Sequence, residues 1–271
     1  MVLHVRRFAS VPGEVTNRAW AAGDPFLTGV LNTYGVLVPR NEAFYISTIR
    51  AVEPKITEPV LAGAIDRFIR QEAQHGAAHH KVLPLLEAQG YRFRTAAKCV
   101  NGLVYGISET IVPIHVRMSM VACVEYVNAF LGHEVLSQHM LEGSDPELQA
   151  LYSWHFAEEI EHRSVSFDAL TAISPSYLLR VAGAALTLPL FYLLLSLGAV
   201  WFGAQDRTLF TAAWWRGAWR HLFGRHRMVR RAIGHIAAYL RPGFHPARRL
   251  DDRLAADAVL RWNDHLQPVG V

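Results

Sequence analysis

The residues best able to do chemistry in this chain are glutamates and histidines set three and four apart. The run Trp154-His-Phe-Ala-Glu-Glu-Ile-Glu-His162 holds no Gly or Pro and tolerates helix throughout. A helix turns about 100° per residue, so with His155 at zero, Glu158 falls near roughly −60°, Glu159 near roughly +40° and His162 near roughly −20°. Two imidazoles and two carboxylates therefore share one stripe, while Glu161 points elsewhere. Burying such a stripe costs several kcal/mol per ion unless the groups are paired or metallated. The same Glu-x-x-His spacing recurs at Glu72 and His75, with His79 falling angularly between them. Two such pairs on separate helices are half of a dinuclear metal site in a four-helix bundle, and one Glu from each remaining helix is the other half. Glu42 precedes the first pair and Glu125 lies between the two, so the order Glu42, Glu72/His75, Glu125, Glu159/His162 completes the set.

The elements that must position these groups read as helices. Residues 1–38 form an irregular lead-in, with Gly23, Pro25, Gly29 and Gly35 as breakers. Pro39 suits a helix start, and a helix over 40–52 carries Glu42 until Glu53-Pro54 stops it. The next helix opens at Thr57-Glu58-Pro59 and runs to a glycine cap at Gln89-Gly90. Residues 96–141 are apolar and mostly helical with a break at Pro113, and Glu125 sits in an Ala/Val/Phe/Leu face where a carboxylate needs a partner. Glu109, just before Pro113, competes with Glu125 for that place. The last ligand helix runs from Glu147 to Ile173. Taken alone, Glu42 reads as a first-turn acid favouring the helix dipole, and a single His on an apolar face as a hydrogen-bonded core residue. The four-part series favours ligation for both.

Charge and hydropathy divide the chain of 271 residues, of which 51% are hydrophobic and 18% charged. Residues 1–204 carry 15 Lys/Arg and 18 Asp/Glu, whereas 205–271 carry 12 Arg and 5 Asp, a net of +7. Val181–Ala204 is uncharged over 24 residues, enough to span a bilayer, which needs about 20. By the positive-inside rule the basic tail is cytoplasmic. A single span would then export the metal-binding part, yet residues 1–10 show no secretory signal. Pro189 therefore predicts a bent, re-entrant or half-inserted pair of apolar segments, the alternative being a wholly buried helix. Trp214, Trp215 and Trp219 interleave with Arg216 and Arg220, a pattern suited to anionic lipid. No nucleic-acid reader motif accompanies them, so no nucleic-acid partner is expected. A last helix is expected over 251–265. Cys99 and Cys123 have no metal spacing, and there is no Gly-rich phosphate loop.

The segments Gln71–His75, Trp154–His162, Val165-Ser-Phe-Asp168 and Arg241-Pro-Gly-Phe-His-Pro246 resemble a bacterial family catalogued as predicted metal-dependent hydrolases. The resemblance spans roughly residues 40–265. One departure is Glu125-Tyr126, where members of that family tend to have Glu-His; the following side chain points about 100° away, so the site is little affected. The ligand order is also similar to that of the ferritin-like di-iron carboxylate proteins. That likeness implies an all-α, ferritin-like four-helix bundle over 1–177, to which the hydropathy and charge of 178–271 add an apolar, membrane-associating and Arg-rich helical extension.

The ligand set favours iron over structural zinc, which prefers Cys and His; manganese and zinc are the alternative metals. The expected function is a di-iron oxygenase of hydroxylase or desaturase type acting on an apolar, lipid-like substrate, fed by an electron donor. Glu72 and Glu159 would bridge two iron ions, His75 and His162 would each bind one, and Glu42 and Glu125 would be terminal. His79, His155 and Glu158 would add ligands or support. The alternative is a metal-dependent hydrolase using the same dinuclear site, and the second alternative is a non-catalytic iron-binding protein. The expected place is the cytoplasmic side of the inner membrane, peripheral or partly inserted. Substrate and oligomeric state are not readable from the residues.

Overall fold

The computed structural model describes residues 3–10, 13, 15, 17–248 and 252–269. Its order is β1 (Arg6–Phe8), α1 (Pro25–Val52), α2 (Pro59–His80), α3 (Leu83–Ala88), α4 (Arg94–Val100), a π-helical turn (Asn101–Gly106), α5 (Ile107–Ile111), α6 (Ile114–Ser137), α7 (Pro146–His162), α8 (Val165–Ile173), α9 (Tyr177–Gln205), α10 (Ala212–Leu222), α11 (Met228–Tyr239), α12 (Asp252–Arg261) and β2 (Leu266–Pro268). The fold is all-α, as expected, apart from β1 and β2. These pair antiparallel, with Arg6 opposite Pro268 and Phe8 opposite Leu266.

Helix α1 starts earlier than Pro39. The Asp24 carboxylate accepts hydrogen bonds from the backbone N–H groups of Phe26 and Leu27 at 3.0 and 3.1 Å, and Pro25 takes the first helical position. Gly29 and Gly35 are interior to α1 and admit close neighbours. A Cβ on Gly29 would stand 3.1 Å from the Ala199 carbonyl oxygen, and one on Gly35 would stand 2.5 Å from the Tyr152 hydroxyl. The Glu58 carboxylate caps α2 at Val60 and Leu61. Gly90, at φ +86°, closes α3 rather than one long helix. The expected helix over 147–173 is two helices, broken at Arg163-Ser164. Arg163 turns to pair with Asp252 at 2.6 Å. Asp251 lies outside the described residues.

Helices α1, α2, α7 and α6 touch in a ring, each against two of the others. Their shared interior is closed by large buried side chains. Phe68 and Trp154, both fully buried, stand edge-on to His162 and His75 with ring centroids 4.9 Å apart in each case. Burial of each contributes about 1.5–3 kcal/mol. Helix α9 lies on the outside of this ring, against α1 and α6. It is one helix through Pro189, without the break into two apolar segments expected at that proline. Helix α12 packs on α7, and α10 is held to the start of α1 by His221, 3.1 Å from the Asp24 carboxylate.

Candidate metal centre

Each helix of the ring brings its part of the cluster. Helix α1 supplies Glu42, α2 supplies Glu72 and His75, α6 supplies Glu125, and α7 supplies His155, Glu158, Glu159 and His162. Glu42 is 2% exposed and the others 0%, so these polar atoms are shielded from bulk solvent. The structure brings five of the six expected ligands into two overlapping groups, Glu42/His75/His155/Glu159 and Glu72/His75/Glu159/His162. Within each, one ligand atom per residue lies within 4.8 Å of the rest. Glu125 adjoins the second group through His162 Nδ1, at 3.2 Å. Glu109, the competitor to Glu125, is taken up by Arg40 at 2.6 Å. His79 is buried but stands behind the cluster, edge-on to His155 and Tyr152 with centroids 4.8 and 5.1 Å apart.

The contacts among these atoms are short but misaligned. His162 Nε2 lies 2.9 Å from Glu72 Oε1, and His155 Nε2 lies 3.0 Å from Glu159 Oε1. Neither approach has the angle of a hydrogen bond, and both oxygens of Glu42, Glu72, Glu125 and Glu159 lack an aligned donor, as do His75 Nδ1 and both His162 nitrogens. Four buried carboxylates without donors are costly by themselves. Lone pairs converging on common points are the arrangement divalent cations stabilise, and a carboxylate and imidazole set suits iron, manganese or zinc. The residues present therefore fit two metal ions.

Burial raises the carboxyls of Glu72 and Glu159 well above the carboxylate range, with the charge of Glu125 adding to it. It lowers His75 well below the usual imidazole value, helped by repulsion from His155 and His162, and takes His155 down to about 3. For His162 burial acts downward, but Glu72 and Glu159 outweigh it and raise the imidazole.

One supporting residue escaped the sequence reading. Arg6, on β1, donates from Nη1 to Glu158 Oε1 at 2.8 Å and to Glu161 Oε2 at 3.0 Å. Glu158 Oε2 in turn lies 3.0 Å from His75 Nε2. This leaves Nδ1 of His75 facing Glu72 and Glu159, at 3.8 and 3.9 Å. A carboxylate behind a ligating histidine fixes the ring and raises its basicity. Glu158 thus acts behind His75 rather than inside either ligand group. Glu161, which points away from the stripe, shares the same arginine.

A family model described as predicted metal-dependent hydrolase matches residues 4–249. The chain belongs to that family. No curated protein matches it, and no solved structure does. The match covers β1 and Arg6 as well as all four ligand helices. In this member of the family two of the sequence segments that carry the family resemblance dock together. His245 Nε2 lies 2.8 Å from Asp168 Oδ1, and the Phe244 and Phe167 rings meet edge-on at 5.8 Å. Gly243, at φ +70°, makes the turn that brings His245 there. The family description names hydrolysis, so of the two reactions weighed from the residues it supports the alternative over oxygenation.

Proposed function

We propose that this chain is a metal-dependent hydrolase, with two divalent ions in the Glu/His centre, acting on an ester or amide of an apolar, lipid-like compound. The pair of overlapping ligand groups carries this reading. They share His75 and Glu159. His75 has only Nδ1 to offer, because Nε2 is committed to Glu158. The two oxygens of Glu159 could serve both ions, so Glu159 would be the residue that bridges them. Glu42 and His155 would complete one coordination set and Glu72 and His162 the other, with Glu125 beside the second. Divalent ions so held supply Lewis acidity towards a carbonyl and a water of lowered pKa.

A narrow cleft between α1, α6 and α9 supports an apolar substrate. Its lining includes Phe44, Tyr45, Val124, Thr187, Phe191 and Leu194. Tyr45 lines the cleft within electrostatic reach of Glu125 and Glu159. Burial first, then the charge of Glu125, keeps its phenol well above the ordinary value. Tyr45 thus keeps its proton in the cleft wall. The Thr187 hydroxyl in the cleft wall is buried without a partner.

A second reading keeps the same ligands and substrate: a di-iron oxygenase supplied by an electron donor. Its specific support is the excess of carboxylates, since Glu42, Glu72, Glu125 and Glu159 nearly neutralise two divalent ions and favour a higher iron charge. The test loads the full chain separately with zinc and with ferrous iron. Turnover is then measured on p-nitrophenyl acyl esters and acyl amides, and oxygen uptake is measured with a reductant. Hydrolysis by the zinc form, lost in Glu159→Gln, is the expected result. An inert zinc form beside an iron form that consumes oxygen would overturn it in favour of the oxygenase. Two bound metals with neither activity would leave an iron-binding protein.

A further inference from the structure

Helix α9 has two unlike faces. Its 29 residues have a mean hydropathy of 1.9 over the most apolar window, yet only 33% of that window is buried. The inner face is pressed onto the ring. A Cβ on Gly183 would stand 2.1 Å from Ser119 Oγ, and one on Gly198 would stand 2.1 Å from Thr33 Cγ2. The outer face carries Leu178, Leu186, Leu193, Leu197, Val200 and Trp201, from 41% to 76% exposed. Among the exposed residues from Leu178 to Ala204, only Ser196 is polar. That apolar stripe is about 35 Å long at 1.5 Å per residue. Soluble monomers rarely leave a contiguous apolar patch of that extent in water.

The chain beyond α9 is basic. Residues 207–248 contain nine Arg and no Asp, Glu or Lys. Helix α10 packs directly on the end of α9, with Gly203 against Trp214. It presents Trp215 and Trp219, 60% and 66% exposed, alongside Arg216 and Arg220 in one shallow hollow. A second hollow sets Phe223 and Ile233 beside Arg227 and Arg230. Arg220 and Arg231 reach Asp24 and Glu134; Arg216, Arg225, Arg227 and Arg230 are exposed to solvent.

We propose that this surface binds an anionic lipid bilayer, with α9 lying flat in the interface rather than crossing it. The helix is long enough to cross. Its inner face, however, is fixed to α1 and α6, and a span would carry the ring with Glu42 and Glu125 into hydrocarbon. Only the flat pose buries the outer stripe and leaves the ring in water. Arginine next to tryptophan then meets headgroups at the same level. A second copy joined through this surface would bring no acidic side chain to the arginines, because residues 178–205 and 207–248 hold no Asp or Glu. The cleft walled by Leu190 and Leu194 of α9 flanks the stripe. Lipid binding needs no metal and stands or falls separately from the hydrolytic reading.

The test is flotation of the full chain with vesicles of phosphatidylcholine alone and of phosphatidylcholine with phosphatidylglycerol. The chain should float with the anionic vesicles and be released by salt. Arg225→Ala/Arg227→Ala/Arg230→Ala should weaken binding about a hundredfold, at about fivefold per arginine near the surface. Leu193→Glu/Leu197→Glu should abolish it without lowering the melting temperature, since both side chains face outward. A bimane label on Leu193→Cys, in a Cys99→Ser background, should be quenched more by nitroxide near the lipid headgroup than by nitroxide at the chain end. Stronger quenching at the chain end would overturn the flat pose. Wild-type protein that ignores both vesicle types would overturn lipid binding, as would a dimer in solution that the double glutamate variant dissolves.

Discussion

Replacing Arg6 with Met tests how far the centre depends on a residue that touches no metal ligand. Arg6 contacts Glu158 at 2.8 Å and Glu161 at 3.0 and 3.2 Å, with its side chain 15% exposed and that of Glu158 fully buried. Removing one partner of a buried ion pair costs about 3–5 kcal/mol when the other stays charged. Here the cost is lower, because Glu158 can take up a proton. Burial already pushes its carboxyl up to about 8 against the pull of Arg6. The expected loss of stability is therefore about 1–3 kcal/mol, the scale of one unsatisfied buried group. The larger effect falls on metal binding. Without Arg6 to oppose burial, Glu158 holds its proton to higher pH still. Above about 8, where the wild-type group is a carboxylate, a protonated Glu158 no longer holds His75 Nε2 in the same way, and losses of this kind cost about 10–100-fold in metal affinity. Competition with a chromophoric chelator measures that change and thermal melting measures the fold. Arg7→Met, on the same strand but exposed and bonded to Gln267, is the control and should leave affinity unchanged. Glu158→Gln should weaken the metal in the same direction. An Arg6→Met protein that melts normally and binds metal as tightly as wild type would refute the reasoning.

Three further outcomes are expected. Purified with metal supplied, the chain should hold about two ions, as two overlapping ligand groups imply; Glu159→Gln should lose both and Glu72→Gln at least one, measured by elemental analysis. Metal binding should release protons and tighten as pH rises, because burial holds Glu72 and Glu159 above the carboxylate range and an entering ion must displace those protons. Calorimetry in buffers of different ionisation enthalpy reads this, and a proton count of zero would contradict it. Gly183→Ala places a Cβ 2.7 Å from the Ser119 carbonyl carbon and should cost about 1–3 kcal/mol in denaturant unfolding. Gly234→Ala on α11 meets nothing within 4 Å and should stabilise by about 0.5–1 kcal/mol.

Helix periodicity made part of the centre legible from the residues alone. Glu72/His75 and Glu159/His162 share a face because of spacing, and Glu125 stood out as a carboxylate in an apolar face. The illegible part depends on partners far along the chain. Arg6 meets Glu158 across 152 residues, and nothing near Arg6 marks it. Gly29 and Gly35 look like breakers locally but serve close contacts with Ala199 and Tyr152 inside α1. Pro189 suggested a bend, but α9 continues through it, packed on α1 and α6 on either side. The apolar face around Glu125 already set it above Glu109, and the pairing of Glu109 with Arg40 accounts for that competitor.

The β1–β2 ribbon sets an order of events in synthesis. Arg7 and Gln267 face each other across 260 residues, a very long loop to close. All the candidate ligand side chains emerge from the ribosome well before Leu266–Pro268. Until that segment pairs with β1, Arg6 has no strand to hold it beside Glu158. Ligands therefore come before their last support, and the centre gains its full grip on metal only once residues 266–268 have emerged and paired with β1. Ribosome-bound chains stalled before and after residues 266–268 should differ in metal retention, with the shorter chains exchanging metal faster. Equal exchange would mean that β1 finds its place without its partner strand.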